Sequence, residues 1–218
     1  MLLPLLISAV VGYLLGSLPF GYLVARAKGV NIFEVGSKNP GATNVRRVLG
    51  NGPGNLVLFL DAAKGAVSVA CPMLCILWKE LAFGNSPSDT SDANLLAVIG
   101  LVAAILGHSF SCFTKFRGGK SVATAAGGFL VLFPLGMGIA LVVFGLTLAF
   151  TRYVSLASML GAASLPFAAF SFKKESLVIS ISAVVAAFVI YRHRANLARL
   201  RAGTENKVGR KKPDETSR

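Results

Sequence analysis

Residues 36–47 read Gly-Ser-Lys-Asn-Pro-Gly-Ala-Thr-Asn-Val-Arg-Arg, a stretch almost without apolar bulk. Gly36, Pro40 and Gly41 permit tight turns and close backbone approach. Ser37, Asn39, Thr43 and Asn44 supply hydroxyl and amide partners, and Arg46 and Arg47 supply guanidinium forks suited to phosphate or carboxylate. A capped loop with interfacial arginines would use the same residues, so this motif alone does not decide for a ligand. A second motif runs Gly107-His108-Ser109-Phe110, then Phe116-Arg117-Gly118-Gly119-Lys120-Ser121-Val122-Ala123-Thr124. Paired glycines and a lysine at a helix start let backbone amides, the helix N-terminus and a cation converge on phosphate. It is not a Walker loop, because no glycine stands five residues before Gly119 and no strand precedes it. A third motif, Arg192-His193-Arg194-Ala195-Asn196 and onward to Glu205, sets His193 and Asn196 three apart, on one face of a helix. Arg194 and Arg201 are placed as snorkelling anchors. The chain has 2 histidines, and each falls in one of these motifs.

The elements that must position these motifs are membrane helices. The 218 residues are 54% hydrophobic and 14% charged, with mean hydropathy +0.68, a membrane composition rather than a globular one. A polar Gly/Pro/Asn-rich segment cannot cross hydrocarbon exposed, so it must lie at the surface or line a watered cavity. The net charge of +13 is clustered at Arg26–Arg47, at Lys115–Lys120 and from Arg192 to Lys212, whereas Lys79 to Asp92 is net negative. By the positive-inside rule the three basic clusters are cytoplasmic. A basic balance can also signify nucleic acid, but here the basic residues flank apolar spans, and no nucleic-acid partner is expected. Cys71, Cys75 and Cys112 have no metal-ligand spacing and read as small apolar residues. The N-terminus lacks a basic flank and a cleavage site, and reads as a retained first helix.

Apolar runs able to span are Leu2–Ala25, Gly54–Trp78, Asn94–Phe113, Val122–Phe150, Tyr153–Phe172 and Leu177–Tyr191. The fourth is broken by Phe133-Pro134-Leu135-Gly136. Taken as one crossing, it would leave a basic cluster outside. Taken as two, it gives an all-α polytopic protein of about seven transmembrane helices, some short. The N-terminus is then outside, the C-terminus cytoplasmic, and Lys173-Lys174-Glu175 an outer loop. The two halves, about 15 residues each, would reach only about 22 Å, so neighbours must bury them. Gly16-Ser17-Leu18-Pro19-Phe20-Gly21 marks a close-packing or kink site in the first span. Residues 1–205 read as one integral-membrane catalytic domain and 206–218 as a polar, disordered cytoplasmic tail. Asn85–Asp92 reads as a plain outer turn. Three polar motifs on one membrane face argue for a phosphorylated ligand taken from the cytoplasm beside lipid.

The motifs in order, together with Asp61-Ala-Ala-Lys64-Gly and Arg199-Leu-Arg-Ala-Gly-Thr-Glu205, resemble the acyl-phosphate:glycerol-3-phosphate acyltransferases, the PlsY family. The match runs from Gly16 to Glu205. The resemblance implies a seven-helix enzyme of the bacterial inner membrane with its active site on the cytoplasmic side. It implies transfer of a fatty acyl group from acyl phosphate to the 1-hydroxyl of sn-glycerol 3-phosphate. The products would be lysophosphatidic acid and phosphate, the first step of phospholipid assembly. No cofactor, metal, acyl-CoA or acyl-carrier protein is implied. Partners are the two substrates, membrane lipid and, as a candidate, the enzyme that makes acyl phosphate. The family's motif serine and arginine fall on Ser37 and Arg47, its glycine-rich phosphate loop on Gly118, Gly119 and Lys120, its late His and Asn on His193 and Asn196, and its structural glutamate on Glu205. Two departures stand out: Lys38 and Ser121 occupy positions where the family usually has glycine, which predicts changed affinity rather than lost activity.

The harder problem for such a reaction is bringing two phosphate-bearing anions together, which cations and oriented amides must offset. Lys120, Arg47 and the Gly118 and Gly119 amides are assigned to that task. Ser37, Asn39, Gly41, Thr43, Asn44, Ser121 and His108 complete the expected phosphate and glycerol contacts. His193 is the candidate to position or deprotonate the hydroxyl, with Asn196 orienting it; the donor's own phosphate could take the proton instead. The alternative class is a transporter for a small phosphorylated anion. Against it stand the short chain, polar residues clustered on one side, and no visible repeat. A soluble-type His-x4-Asp acyltransferase is excluded, since neither His108 nor His193 has an Asp five residues on.

Overall fold

The computed structural model describes residues 2–83 and 90–209. The described chain is helical: α1 (Leu2–Ser17), α2 (Phe20–Arg26), α3 (Ala42–Leu49), α4 (Asn51–Phe83), α5 (Thr90–Ser109), a 3₁₀ turn at Cys112–Thr114, α6 (Val122–Leu132), α7 (Pro134–Thr151), α8 (Val154–Ser171), α9 (Ser176–Arg192) and α10 (Arg194–Arg201). Five segments are long and apolar enough to cross a membrane: Leu2–Arg26, Asn51–Ile76, Ala93–Thr114, Pro134–Thr151 and Val154–Ser171. The α9–α10 pair, bent by 58°, is a sixth only if taken as one broken span, and Val122–Leu132 is a shorter apolar helix. Phe150 at 85% and Phe167 at 74% exposure show that the outer surface is apolar, as a bilayer solvent requires.

Two prolines explain the breaks. Pro19 offers no N–H and its ring crowds the preceding turn, so the first span divides at Leu18–Pro19, where a kink is expected. At this break the Leu18 carbonyl accepts both the Phe20 N–H at 3.1 Å and the Lys64 ammonium at 2.8 Å. Pro134 starts α7 at its first turn, where a missing N–H costs nothing. Phe133 before it has left the helical region, with φ −148° and ψ 75°. The run Val122–Phe150 therefore divides where expected, but into 11 and 18 residues rather than equal halves.

Small residues set the closest seams. A Cβ at Gly12 or Gly16 of α1 would overlap Gly100 or Ala104 of α5, and one at Gly65 or Gly127 would overlap the backbone across the α4–α6 seam. The main core is Val69, Leu101, Ile105, Phe129, Phe133, Met137, Leu165 and Val189 among others. A smaller core of Ala25, Ile32, Val45 and Val57 supports the first polar loop. The loops at residues 110–121, 152–155 and 192–209 meet at one end of the bundle. At the other end, Asn94 donates to Glu175 at 3.0 Å and Phe133 packs edge-on against Phe172.

Two expectations need correction. Of the predicted Asn85–Asp92 turn, residues 85–89 lie outside the described residues, and Thr90–Asp92 already belong to α5. The predicted free tail is not free at its start: the Val208 N–H donates to the Arg152 carbonyl at 2.9 Å. Residues 210–218 lie outside the described residues. The three cysteines are free and exposed, Cys71 and Cys75 on α4 and Cys112 in the 3₁₀ turn.

Candidate active site

The first loop is held by its own side chains. The buried Asn44 amide accepts the Ser37 N–H at 2.8 Å and donates to the Val35 carbonyl at 3.1 Å. Asn39 accepts the Gly41 N–H at 2.9 Å, an Asx turn that starts α3. Asn44 and Asn39 thus brace the loop with groups expected to meet substrate. Ser37, Thr43 and Arg47 are exposed, and Arg46 bonds Asn55. Lys38 has φ +56°. The side chain at that position, where the resemblance noted above leads one to expect glycine, therefore sits in the left-handed region that disfavours a Cβ.

The glycine loop rests on α5 and α9. The Gly119 N–H donates to the His108 carbonyl at 3.0 Å, so this amide is taken rather than aimed at an anion. The Arg192 Nη2 donates to the Gly119 carbonyl at 2.7 Å. A Cβ at Gly119 would strike the His108 ring, and one at Gly118 the His108 and Ser109 backbone. Glycine is needed here for close packing. His108 lies under this loop, its Nδ1 3.5 Å from Asp61 Oδ1, and Asp61 also pairs with Lys64 at 2.9 Å. Among the described residues, no hydrogen bond or ion pair joins His108 directly to Lys120, His193 or Asn196. Ser121, the second departure, has φ +59° and is buried. Its hydroxyl donates to the Ile105 carbonyl at 2.8 Å and lies 2.7 Å from the Ser109 hydroxyl.

The third motif completes a centre around Lys120. The Lys120 ammonium donates to the Asn196 Oδ1. The Asn196 Nδ2 donates to Glu205 Oε1 at 2.6 Å. Glu205 also accepts from the Ser155 hydroxyl at 2.8 Å and from Arg199 Nε at 2.7 Å. Burial would raise the Glu205 pKa, but the bonds from Asn196, Ser155 and Arg199 outweigh it and hold the carboxyl below its usual value. Lys120 is pulled down to about 8, first by burial and then by the Arg199, Arg192 and Arg47 charges, against the lift from Glu205. Its ammonium is therefore a titratable cation near physiological pH.

His193 sits past the end of α9, at the bend into α10, and is buried. Its Nδ1 lies 2.8 Å from the Val189 carbonyl, which can only accept. Nδ1 therefore carries the proton and Nε2 is left as an acceptor. Burial and then the Lys120 charge lower the His193 pKa to about 4, so the ring is neutral at physiological pH. The centre thus gathers Lys120, Asn196, Glu205 and His193, with Arg47 close enough for its charge to act on Lys120. Among the described residues, Ser37, Asn39 and Thr43 make no hydrogen bond to it. Ser155, Arg192 and Arg199 belong to the centre; the sequence reading holds both arginines within its motifs but gives them no role, and it passes over Ser155. Ser155 stands at the start of an apolar helix with no local signal, and the two arginines resemble ordinary membrane-edge anchors.

A family model described as glycerol-3-phosphate acyltransferase matches residues 6–203. A glycerol-3-phosphate acyltransferase of Fusobacterium nucleatum is 44% identical over 199 residues, covering 91% of this chain and 95% of that one. One of Geotalea daltonii is 44% identical over 197 residues, covering 89% and 92%. The fold is similar to PlsY, an integral membrane glycerol 3-phosphate acyltransferase, in its glycerol 3-phosphate form, with TM-score 0.81 and 37% identity over 94% of this chain and 96% of that one. For the lysophosphatidic acid form the TM-score is 0.79, with 36% identity over 94% and 95%. The motif order, the all-helical membrane architecture and these matches lead to one conclusion: the chain belongs to the glycerol-3-phosphate acyltransferase family.

Proposed function

We propose that this protein transfers a fatty acyl group from acyl phosphate to the 1-hydroxyl of sn-glycerol 3-phosphate, releasing lysophosphatidic acid and phosphate. The observation that carries the site assignment is the Lys120–Asn196–Glu205 chain beside a neutral, buried His193. The protein crosses the bacterial inner membrane seven times, by α1–α2, α4, α5, α6, α7, α8 and α9. The N-terminus is outside and the centre cytoplasmic. The clustering of basic loops at the end that carries Lys120 and Glu205 supports that orientation. Family membership favours catalysis over transport of a phosphorylated anion.

Acyl phosphate is already activated, because phosphate is a good leaving group. Lys120 and Arg47 offset the charge of two phosphates, and Arg192 acts by fixing the Gly118–Gly119 backbone. The glycerol oxygen attacks the acyl carbon, the carbon–oxygen bond to phosphate breaks, and phosphate leaves with the electron pair. Nε2 of His193 accepts the hydroxyl hydrogen bond and aims the oxygen. Burial and the Lys120 charge lower the His193 pKa to about 4, which makes the ring a weaker base than the departing inorganic phosphate dianion. The departing phosphate therefore takes the proton. The test is phosphate release from palmitoyl phosphate by purified protein, with and without sn-glycerol 3-phosphate. Acceptor-dependent release with lysophosphatidic acid formed is expected. Acceptor-independent release, or none from folded protein, would refute the reading.

A further inference from the structure

Glu205 lies on a segment that returns from α10 across the α7–α8 corner. The Gly203 N–H donates to Leu200 and the Thr204 N–H to Arg199, at 3.2 and 2.8 Å, with Gly203 at φ +69°. This pair of bonds is the Schellman arrangement, and it turns the chain out of α10. Three residues beyond Glu205 the strand is caught again. Nε and Nη2 of Arg152 donate to the Val208 carbonyl at 3.0 and 2.7 Å. The Val208 N–H returns a bond to the Arg152 carbonyl at 2.9 Å. Lys207 lies 5.2 Å over the Tyr153 ring. Glu205 is thus pinned from both sides, and it holds Asn196, which holds Lys120.

Arg152 itself ends α7 in the left-handed conformation, φ +64°, where glycine is the residue of least strain. Its side chain is exposed and touches none of Lys120, His193 or Asn196 among the described residues. Its hydrogen-bonding capacity goes into Val208.

We propose that Arg152 is a positioning residue for acyl transfer: by clasping Val208 it sets the Glu205 carboxylate, and through it the Asn196–Lys120 pair. This rests on the assignment of Lys120 and Asn196 to the reacting site. The groups that act on Lys120 are Glu205, which favours its charge, and Arg199, Arg192 and Arg47, which oppose it. A loosened Glu205 therefore lets the ammonium lose its proton at lower pH.

The test is Arg152→Gly, which relieves the backbone and removes the side chain that holds Val208. The variant should remain as heat-resistant as the parent in detergent. Its kcat should fall about five- to twentyfold, the acceptor KM should change by less than threefold, and the alkaline limb of the rate should move to lower pH. R152K, which restores one donor, should recover part of the loss. Arg152→Asn, which also tolerates the left-handed backbone but lacks the guanidinium, should reproduce the loss independently and decides the matter if the glycine variant fails to fold. Unchanged kcat and pH profile in a folded variant would overturn the proposal. If Lys120→Ala keeps full activity, the site assignment fails first. If Lys120→Ala is inactive while R152G behaves as the parent, only the clasp is wrong.

Discussion

The first polar loop and the glycine loop use the same residue types and hold themselves in opposite ways. Ser37, Asn39, Gly41 and Asn44 bond to one another or to Val35, all within nine positions. Gly119, Lys120 and Ser121 bond to Arg192, Asn196 and Ile105, and two of these partners are more than seventy positions away. The first loop is a self-contained turn that presents Ser37, Thr43 and Arg47 outward. The second is a junction, where groups from α5, α9 and α10 bond three consecutive residues, Lys120 at their centre. A local loop can be altered with local consequences, whereas a junction transmits damage to the reacting centre.

The largest effect should come from the junction. Lys120→Ala removes the cation that offsets phosphate charge and should lower kcat/KM on the order of 10²–10³-fold, measured with palmitoyl phosphate and sn-glycerol 3-phosphate. Next, Asn44→Ala strands the Ser37 N–H and the Val35 carbonyl, which should cost about 1–3 kcal/mol, read as earlier thermal unfolding in detergent. If loop one is self-contained, that variant should raise the acceptor KM more than it lowers kcat. An equal loss in kcat would erase the distinction between the loops.

The smallest effects sharpen it most. Lys38 and Ser121 both hold positive φ where glycine would be unstrained. Lys38 is exposed, so Lys38→Gly should stabilise by about 1 kcal/mol. Ser121 is buried and its hydroxyl meets Ile105 and Ser109. Ser121→Gly relieves similar strain but forfeits bonds worth about 1 kcal/mol each, so it should be neutral or destabilising. Equal gains from both would show that the Ser121 hydroxyl contributes nothing.

This contrast also separates what the sequence discloses from what it conceals. Pro134 and Pro19 announce their breaks because a missing N–H acts locally. The three motifs and their grouping with His193 and Asn196 follow from residue type and spacing. That Asn44 braces its own loop, and that the Gly119 amide is occupied by His108, depends on side-chain direction, which spacing does not encode. Ser155 and Arg152 are invisible for a stronger reason. Their partners, Glu205 and Val208, lie fifty or more positions away, and the apolar helix between them offers no cue. The tail reads as disordered by composition, yet its first residues are captured by Arg152, a tertiary contact that overrides local polarity.

The central claim is that the Lys120 ammonium, held by Asn196 and Glu205, is the cation on which turnover depends. The most direct test compares the pH dependence of kcat/KM for the parent and for Lys120→Arg. Lys120 is charged below about pH 8 and neutral above it, so the parent rate should decline as pH rises through that value. Arginine stays charged, so whatever activity the variant retains should persist to higher pH with that limb gone. The same alkaline limb in both proteins would assign it to another group and contradict the account.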